Sequence, residues 1–248
     1  MRKTLVAVAL LFGTISLSAQ TSGQIANYGS SGLSNYSAAS QINTLLGPIS
    51  DANSKLELEN TGIKGSPYTS NVFLPANIYY KGEDYGSLYY RYNAYNEEIE
   101  IKKQNLENEG IRALGRDKSI SIRTSIEGKP MSFKTFIDKK NRTQNGYLTL
   151  LQEGKYTLYK RIDVKFTEGQ KAQNSFVKAT PARFSQFVEY YLEIKGKNRI
   201  DEVELKNKKL LNLVETDKKE ALKSFLKESD LKLKSEENLI KAISFLNQ

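Results

Sequence analysis

The chain has 248 residues, of which 37 are Lys or Arg and 28 are Asp or Glu, so its formal net charge is +9. It contains no histidine and no cysteine, which excludes Ser-His-Asp and Cys-His catalytic groups and the metal sites that use those side chains. Basic and acidic residues alternate along the chain, as on a solvated surface, so we expect no nucleic-acid partner. Carboxylate chemistry remains possible on composition alone, but no catalytic motif is recognisable, so we predict no catalytic site, no cofactor and no metal.

Residues 1–19 match a secretory signal peptide. Arg2 and Lys3 form a basic start, residues 5–17 are apolar, and Ser18-Ala19 before Gln20 is a small-residue cleavage site. The remainder has no run of about 18 apolar residues, so we expect no transmembrane segment after cleavage. Without a cysteine to acylate, the chain is not expected to be a lipoprotein. These features predict an exported protein of the periplasm, associated with the outer membrane.

Residues 20–65 are rich in Ser, Asn, Gly and Gln and show no sustained hydrophobic period. This composition predicts a polar, largely flexible segment, with a short helix near 38–46.

Residues 66–206 have the pattern of a β-sheet domain. Seven tyrosines lie between Tyr79 and Tyr95, and aromatic residues favour strands. Side chains alternate between the two faces of a strand, so Leu88, Tyr90, Tyr92 and Ala94 share the face expected to be core. The alternation recurs over 156–166, where only Lys160 interrupts the apolar positions.

Apolar and polar residues alternate in the way that is typical of antiparallel sheets. Short Gly-containing segments between these strands predict hairpin turns, and together they indicate a curved meander. The predicted turns lie at Lys81-Gly82-Glu83-Asp84, Asn145-Gly146, Glu153-Gly154 and Lys195-Gly196-Lys197-Asn198.

From residue 207 onward the hydrophobic period changes from two to 3.6, which predicts short C-terminal helices over 207–248 packed on the sheet. Asp217 with Glu220 has the spacing of a capping box, and Ser235 is a candidate N-cap for the last helix. The fold class predicted is α+β, an antiparallel sheet followed by a short helical tail.

The face of β-structure opposite the predicted core carries rings next to a cation. Such surfaces bind glycans, peptides or nucleic-acid strands by stacking and cation–π contact, although cross-strand tyrosines also stabilise ordinary sheets. Lys134 and Tyr147 are predicted neighbours of this candidate binding surface. Its residues are Tyr79, Tyr89, Arg91 and Tyr95.

Glu97, Glu98 and Glu100 are the densest acidic group of the predicted sheet. A glycosidase uses two carboxylates across a cleft. Because Lys102 follows on the same face as Glu98 and Glu100, the pattern predicts a solvated strand edge instead of an acid/base pair.

Several short motifs resemble small exported periplasmic proteins common in Bacteroidota. The resemblance covers roughly residue 65 to the C-terminus, together with a signal peptide ending in Ser-Ala-Gln. The resemblance implies an origin in Bacteroidota and a periplasmic location, and it implies no particular activity. The motifs are Gly65-Ser66-Pro67-Tyr68, Phe73-Leu74-Pro75, the run from Tyr90 to Glu100, Asp217-Lys218-Lys219-Glu220, Leu231-Lys232-Leu233-Lys234 and Leu239-Ile240.

Three functions are compatible with these patterns. The leading hypothesis is a non-enzymatic periplasmic binding or accessory subunit of cell-envelope machinery, with an envelope or outer-membrane protein as partner. The alternatives are a carboxylate-dependent hydrolase of envelope glycans and a carrier of a lipid or other apolar ligand. The carrier requires the sheet to curl around a cavity.

Overall fold

The computed structural model describes residues 42–48, 62–124, 128–172 and 178–248. Within these ranges the chain forms eleven strands and three helices of seven or more residues. The strands are β1 (Leu46–Gly47), β2 (Leu74–Tyr80), β3 (Glu83–Asn93), β4 (Glu98–Lys102), β5 (Arg112–Leu114), β6 (Ile120–Thr124), β7 (Pro130–Ile137), β8 (Thr143–Gln152), β9 (Tyr156–Thr167), β10 (Arg183–Ile194) and β11 (Ile200–Glu202). The helices are α1 (Asn207–Leu213), α2 (Thr216–Glu228) and α3 (Glu236–Leu246).

The strands form one mostly antiparallel sheet in which chain neighbours usually pair. Strands β2 to β5 run as one meander, to which β1 adds at β5, and β6 to β11 form a second series joined to β2 through β6. Among the strands named above, one pair is parallel, β11 with β7, and an isolated parallel bridge joins Lys64 to Arg183 of β10. The prediction of an α+β protein built on an antiparallel sheet is confirmed.

Strands β7 to β11 close into a ring. Each strand pairs with the next, and β11 returns to β7 through Asp201 opposite Ile137. All five strands contribute one buried side chain to the ring's interior, and the rings of Phe136 and Tyr191 lie 4.4 Å apart across it. These interior residues are Phe136, Leu148, Tyr159, Tyr191 and Ile200.

Outside the ring the sheet curls so that β3 approaches β8. Their rings at Tyr92 and Tyr147 meet edge to face at 5.7 Å, although β2, β6 and β7 lie between these strands in the sheet order. The core between them contains Leu88, Tyr90, Tyr92 and Ala94, the face that sequence alternation predicted to be buried.

The helices cover the end of the sheet where β9 begins and β10 ends. Their buried leucines and isoleucines pack against Tyr156 and Leu158 of β9. The Ser235 hydroxyl accepts from the Asn238 N–H, which confirms the predicted cap of α3. In the described part of the chain, no helix has the length and apolar character needed to cross a membrane.

The predicted capping box of the second helix is wrong. Helix α2 begins at Thr216, one residue before Asp217, and its N-cap residue Glu215 makes no side-chain cap hydrogen bond. Glu215 instead bonds Tyr156, the first residue of β9, and Lys155 just before it, so a tertiary contact replaces the local one.

Residues 42–48 are the described part of the polar segment predicted for 20–65, together with 62–65. Ile42 and Leu46 are buried in the core next to β5, so these residues are folded onto the sheet. The predicted signal peptide lies outside the described residues.

The predicted turns at Lys81, Glu153 and Lys195 are confirmed by the strand ends on either side. The turn predicted at Asn145-Gly146 is wrong, because both residues lie inside β8 and the chain reverses at 138–142. Position 146 needs a glycine for lack of space, because a Cβ there would lie 2.9 Å from the Glu97 carboxylate.

Candidate functional site

A cavity of about 550 Å³ lies on the inner face of the curled sheet. Its walls come from six strands and from the first residue of α3, because the curl brings β2 and β3 towards β8 and β9. Half of the fourteen lining residues are apolar or aromatic, and the others are threonines, a serine and three charged residues; the apolar part includes Leu74, Tyr90, Met131, Leu151 and Ile162. The volume falls within the roughly 300–1,000 Å³ range of small-molecule sites.

The charged side chains of the lining are two lysines and one glutamate. Lys129 precedes β7, while Lys160 of β9 and Glu236 of α3 form an ion pair with 2.9 Å between Nζ and Oε2. The Glu236 carboxylate also accepts from the Tyr190 hydroxyl at 3.1 Å. Lys160 is the residue that interrupts the apolar alternation of β9, and the cavity accounts for that interruption.

Tyr147 forms part of the cavity wall and is almost completely buried. Its hydroxyl has no hydrogen-bond partner among the residues that the structure describes. Burial raises the pKa of this hydroxyl well above its ordinary value, so it stays protonated and remains a donor. A buried donor without an acceptor costs about 1–3 kcal/mol.

Arg91 of the predicted binding surface is held by the protein itself. Its guanidinium bonds Glu100 at 2.6 Å and lies 3.8 Å from the centre of the Tyr68 ring and 4.7 Å from that of Phe73. The Tyr68 hydroxyl donates to the same carboxylate, and burial followed by the Glu100 charge raises the pKa of Tyr68 to about 12. The segment before β2 thus covers part of this face.

The three tyrosines predicted with Arg91 lie at different places on the outer side of the sheet. Tyr79 packs under the guanidinium of Arg123, and Tyr89 is paired between Pro75 and Lys102. Tyr95, which is 37% exposed, follows the end of β3 and contacts the Phe184 ring. The predicted neighbours also separate: Lys134 lies over Tyr159, and Tyr147 lines the inner cavity.

The solvated edge predicted for Glu97, Glu98 and Glu100 is wrong. Glu98 and Glu100 are buried, and Glu97 accepts from the Tyr92 hydroxyl at 2.6 Å and from the Tyr147 N–H at 3.0 Å. Strand β4 lies between β3 and β5, so Glu98 and Glu100 are not at an edge of the sheet, and Tyr68 and Arg91 cover Glu100.

Arg161 of β9 is the centre of the acidic cluster. Its guanidinium bonds Glu97 (2.9 Å from Nε), Asp163 (3.1 Å) and Glu189 (2.8 Å), and all four side chains are largely buried. Burial by itself would lower the pKa of Arg161, but the Glu97 charge and the hydrogen bonds raise it above its usual range. These carboxylates are engaged in ion pairs, so the cluster stabilises the approach of the β3–β4 turn to β9.

Sequence reasoning placed a candidate surface on the outer face and did not find the inner cavity. The one available signal was Lys160, a cation among apolar residues of the same parity. Two of the four residues on the predicted core face of β3, Tyr90 and Tyr92, also line the cavity. Among the described residues, no group of three or more acidic side chains is arranged to hold a metal ion.

No protein family, curated protein or solved structure matches the chain in sequence or fold comparisons. The cavity and its charged end are therefore the basis on which a function is proposed.

Proposed function

We propose that this protein is a non-enzymatic, periplasmic binding protein that holds a small molecule with an apolar body in the inner cavity. The observation that carries the proposal is a cavity of about 550 Å³ in the curled sheet, with apolar and aromatic side chains on one half of its lining and polar or charged ones on the other. Protein interiors are normally close-packed, and a concave site of this size that combines apolar walls with a few polar groups has the character of a ligand site.

The composition supports a non-enzymatic role, and the signal-peptide pattern supports a periplasmic location. A chain without histidine and cysteine has few means of acid–base or nucleophilic catalysis. The basic start, apolar run and Ser18-Ala19 site of residues 1–19 favour export to the periplasm.

Saturable binding of Nile red, a neutral apolar dye, tests the proposal. We expect one dye per chain, and a Thr149→Tyr variant that fills the cavity should weaken binding by at least about tenfold. Thr143→Tyr is the matched control, since it makes the same change at an exposed position of the same strand. Leu74→Trp serves as a second filling variant in case Thr149→Tyr does not fold.

Two outcomes would reject the binding proposal. One is the absence of saturable dye binding to the folded protein. The other is equal affinity in the unmodified protein and in a folded cavity-filling variant.

An accessory subunit is the second candidate, because β10 exposes an apolar side chain on each face, Phe187 at 46% and Val188 at 50%. Docking of another protein on β10 would cover one of these side chains. Affinity isolation from gently solubilised envelopes tests this role. Stoichiometric recovery of an outer-membrane protein that a Phe187→Ser/Val188→Ser variant loses would support it, and recovery of the protein alone would reject it.

A further inference from the structure

We propose that the ligand of the inner cavity is an anionic amphiphile, with its head group bound by Lys160 and Lys129 and its apolar chain lying against β2, β7 and β9. The inference rests on the proposed function, since it names the chemical class that this cavity would select.

The positive charge of the lining is the first argument. Among the lining residues two ammonium groups face one carboxylate, which leaves a net positive charge. Glu236 is also the first residue of α3, an 11-residue helix whose positive dipole end lies there. A monoanion entering this end of the cavity would balance the charge of the lining.

The position of Lys160 is the second argument. Its neighbours of the same parity in β9 are Leu158 and Ile162, which lie in apolar clusters. A lysine is costly to place among apolar side chains unless its charge is paired. Glu236 provides that pairing, and its carboxylate occupies the position that a ligand carboxylate would take against the same ammonium group.

The accessibility of that ion pair is the third argument. The side chains of Lys160 and Glu236 are each 31% exposed, so solvent and ligand atoms reach both of them. A partly exposed ion pair contributes little to stability, so replacing Glu236 by a ligand anion next to Lys160 costs little free energy.

The remaining lining suits an apolar chain. Leu74, Met131, Leu151 and Ile162 come from four different strands, so they enclose the chain from several sides. Methionine adapts its shape to irregular apolar ligands. Tyr90, Tyr92 and Tyr147 add aromatic surface to the same wall.

Displacement of Nile red by four single-chain amphiphiles of equal length tests the inference: dodecanoate, dodecyl phosphate, dodecanol and dodecylamine. We expect dodecanoate or dodecyl phosphate to bind at least about tenfold more tightly than dodecanol, because of a charge-assisted hydrogen bond. Dodecylamine should bind most weakly. The order of the two anions distinguishes a carboxylate from a phosphate head group.

Variants at the charged end complete the experiment. Lys160→Met keeps the apolar stem and removes the charge, so it should abolish the preference for the anion while dodecanol binding is retained. Glu236→Gln frees Lys160 and should strengthen anion binding. Lys165→Met is the control, since Lys165 lies in the same strand with a side chain 65% exposed and bonds Asp163 outside the cavity.

The outcomes separate the two proposals. If the folded protein shows no saturable dye binding, the binding function itself fails; if the dye binds in the cavity but none of the four amphiphiles displaces it, the binding function stands and the amphiphile class is wrong. If both bind equally, if the amine binds most tightly, or if Lys160→Met leaves the preference unchanged, the binding function stands and the anionic class is wrong.

Discussion

The guanidinium of Arg161 holds the carboxylate of Glu97, a residue 64 positions earlier in the chain, with 2.9 Å between Nε and Oε1. This contact joins the five-stranded ring to the β3–β4 turn. The same carboxylate accepts from Tyr92 and from the backbone of Tyr147, two residues in the wall of the inner cavity. One ion pair therefore connects the curl of the sheet to the cavity that the curl encloses.

Replacing Arg161 with methionine should destabilise the protein by about 3–5 kcal/mol, because three largely buried carboxylates lose their common cation. Urea unfolding followed by circular dichroism measures the free energy of unfolding. Arg142→Met is the control, since Arg142 bonds Asp138 at an exposed position and should cost less than about 1 kcal/mol. An equal loss of unfolding free energy in the two variants would contradict the conclusion that Arg161 is the common partner of the three buried carboxylates.

Gly146→Ala should destabilise the protein by about 1–3 kcal/mol, because the added Cβ would lie 2.9 Å from the Glu97 carboxylate in a close-packed region. Urea unfolding followed by circular dichroism measures this loss of unfolding free energy. Gly110→Ala introduces the same methyl group where no atom lies within 4 Å, so its effect should be small. A Gly146→Ala protein as stable as the Gly110→Ala protein would mean that Glu97 moves aside freely.

Arg91 distinguishes a structural from a binding role for the predicted outer surface. Arg91→Met should cost about 3–5 kcal/mol, because Glu100 is 1% exposed and loses its ion pair. Exchanging Tyr89 for phenylalanine on the same face should change the unfolding free energy by less than about 0.5 kcal/mol. Differential scanning calorimetry on both variants provides the comparison. A fully stable Arg91→Met protein would instead return Arg91 to the candidates for ligand binding.

Alkaline pH should unfold the protein through its buried tyrosines. Burial, then a neighbouring glutamate, raises the pKa of Tyr68, Tyr156 and Tyr190 to about 12, above the ordinary value of 10.0. A raised pKa means that the folded chain keeps protons which the unfolded chain releases, so this contribution to stability is fully present below pH 10.0 and is lost as the pH rises through about 12.

Urea midpoints measured at several pH values, with tyrosinate absorbance as a second readout, check the expected decline. Tyr156→Phe removes one of the three groups, so the decline of this variant should be shallower. A midpoint that stays constant up to about pH 12, or that rises, would contradict the sign of the effect.

The sequence by itself determined several of the longer strands, the inward face of β3 and the start of the last helix. Alternation identified Leu88, Tyr90 and Tyr92 as inward-facing, and Ser235 marked the start of α3, because these features depend on neighbouring residues and on the strand and helix periods. Local signals failed where a distant residue decided the outcome. The Asn145-Gly146 pair predicted a turn, whereas Gly146 lies within β8 and leaves space for the Glu97 carboxylate. The side chain of Glu215 does not cap α2, because it bonds the Tyr156 hydroxyl.

Only the tertiary structure decided where the faces meet. The curl of β3 towards β8 brings Glu97 to Arg161, and the segment before β2 covers Glu100, so neither acid lies at the solvated edge that alternation predicted. The same curl converts part of a predicted core face into the wall of a cavity, with Lys160 at its charged end. Pairing between strands far apart in sequence fixes these contacts, and a period of two residues carries no information about which strands approach one another.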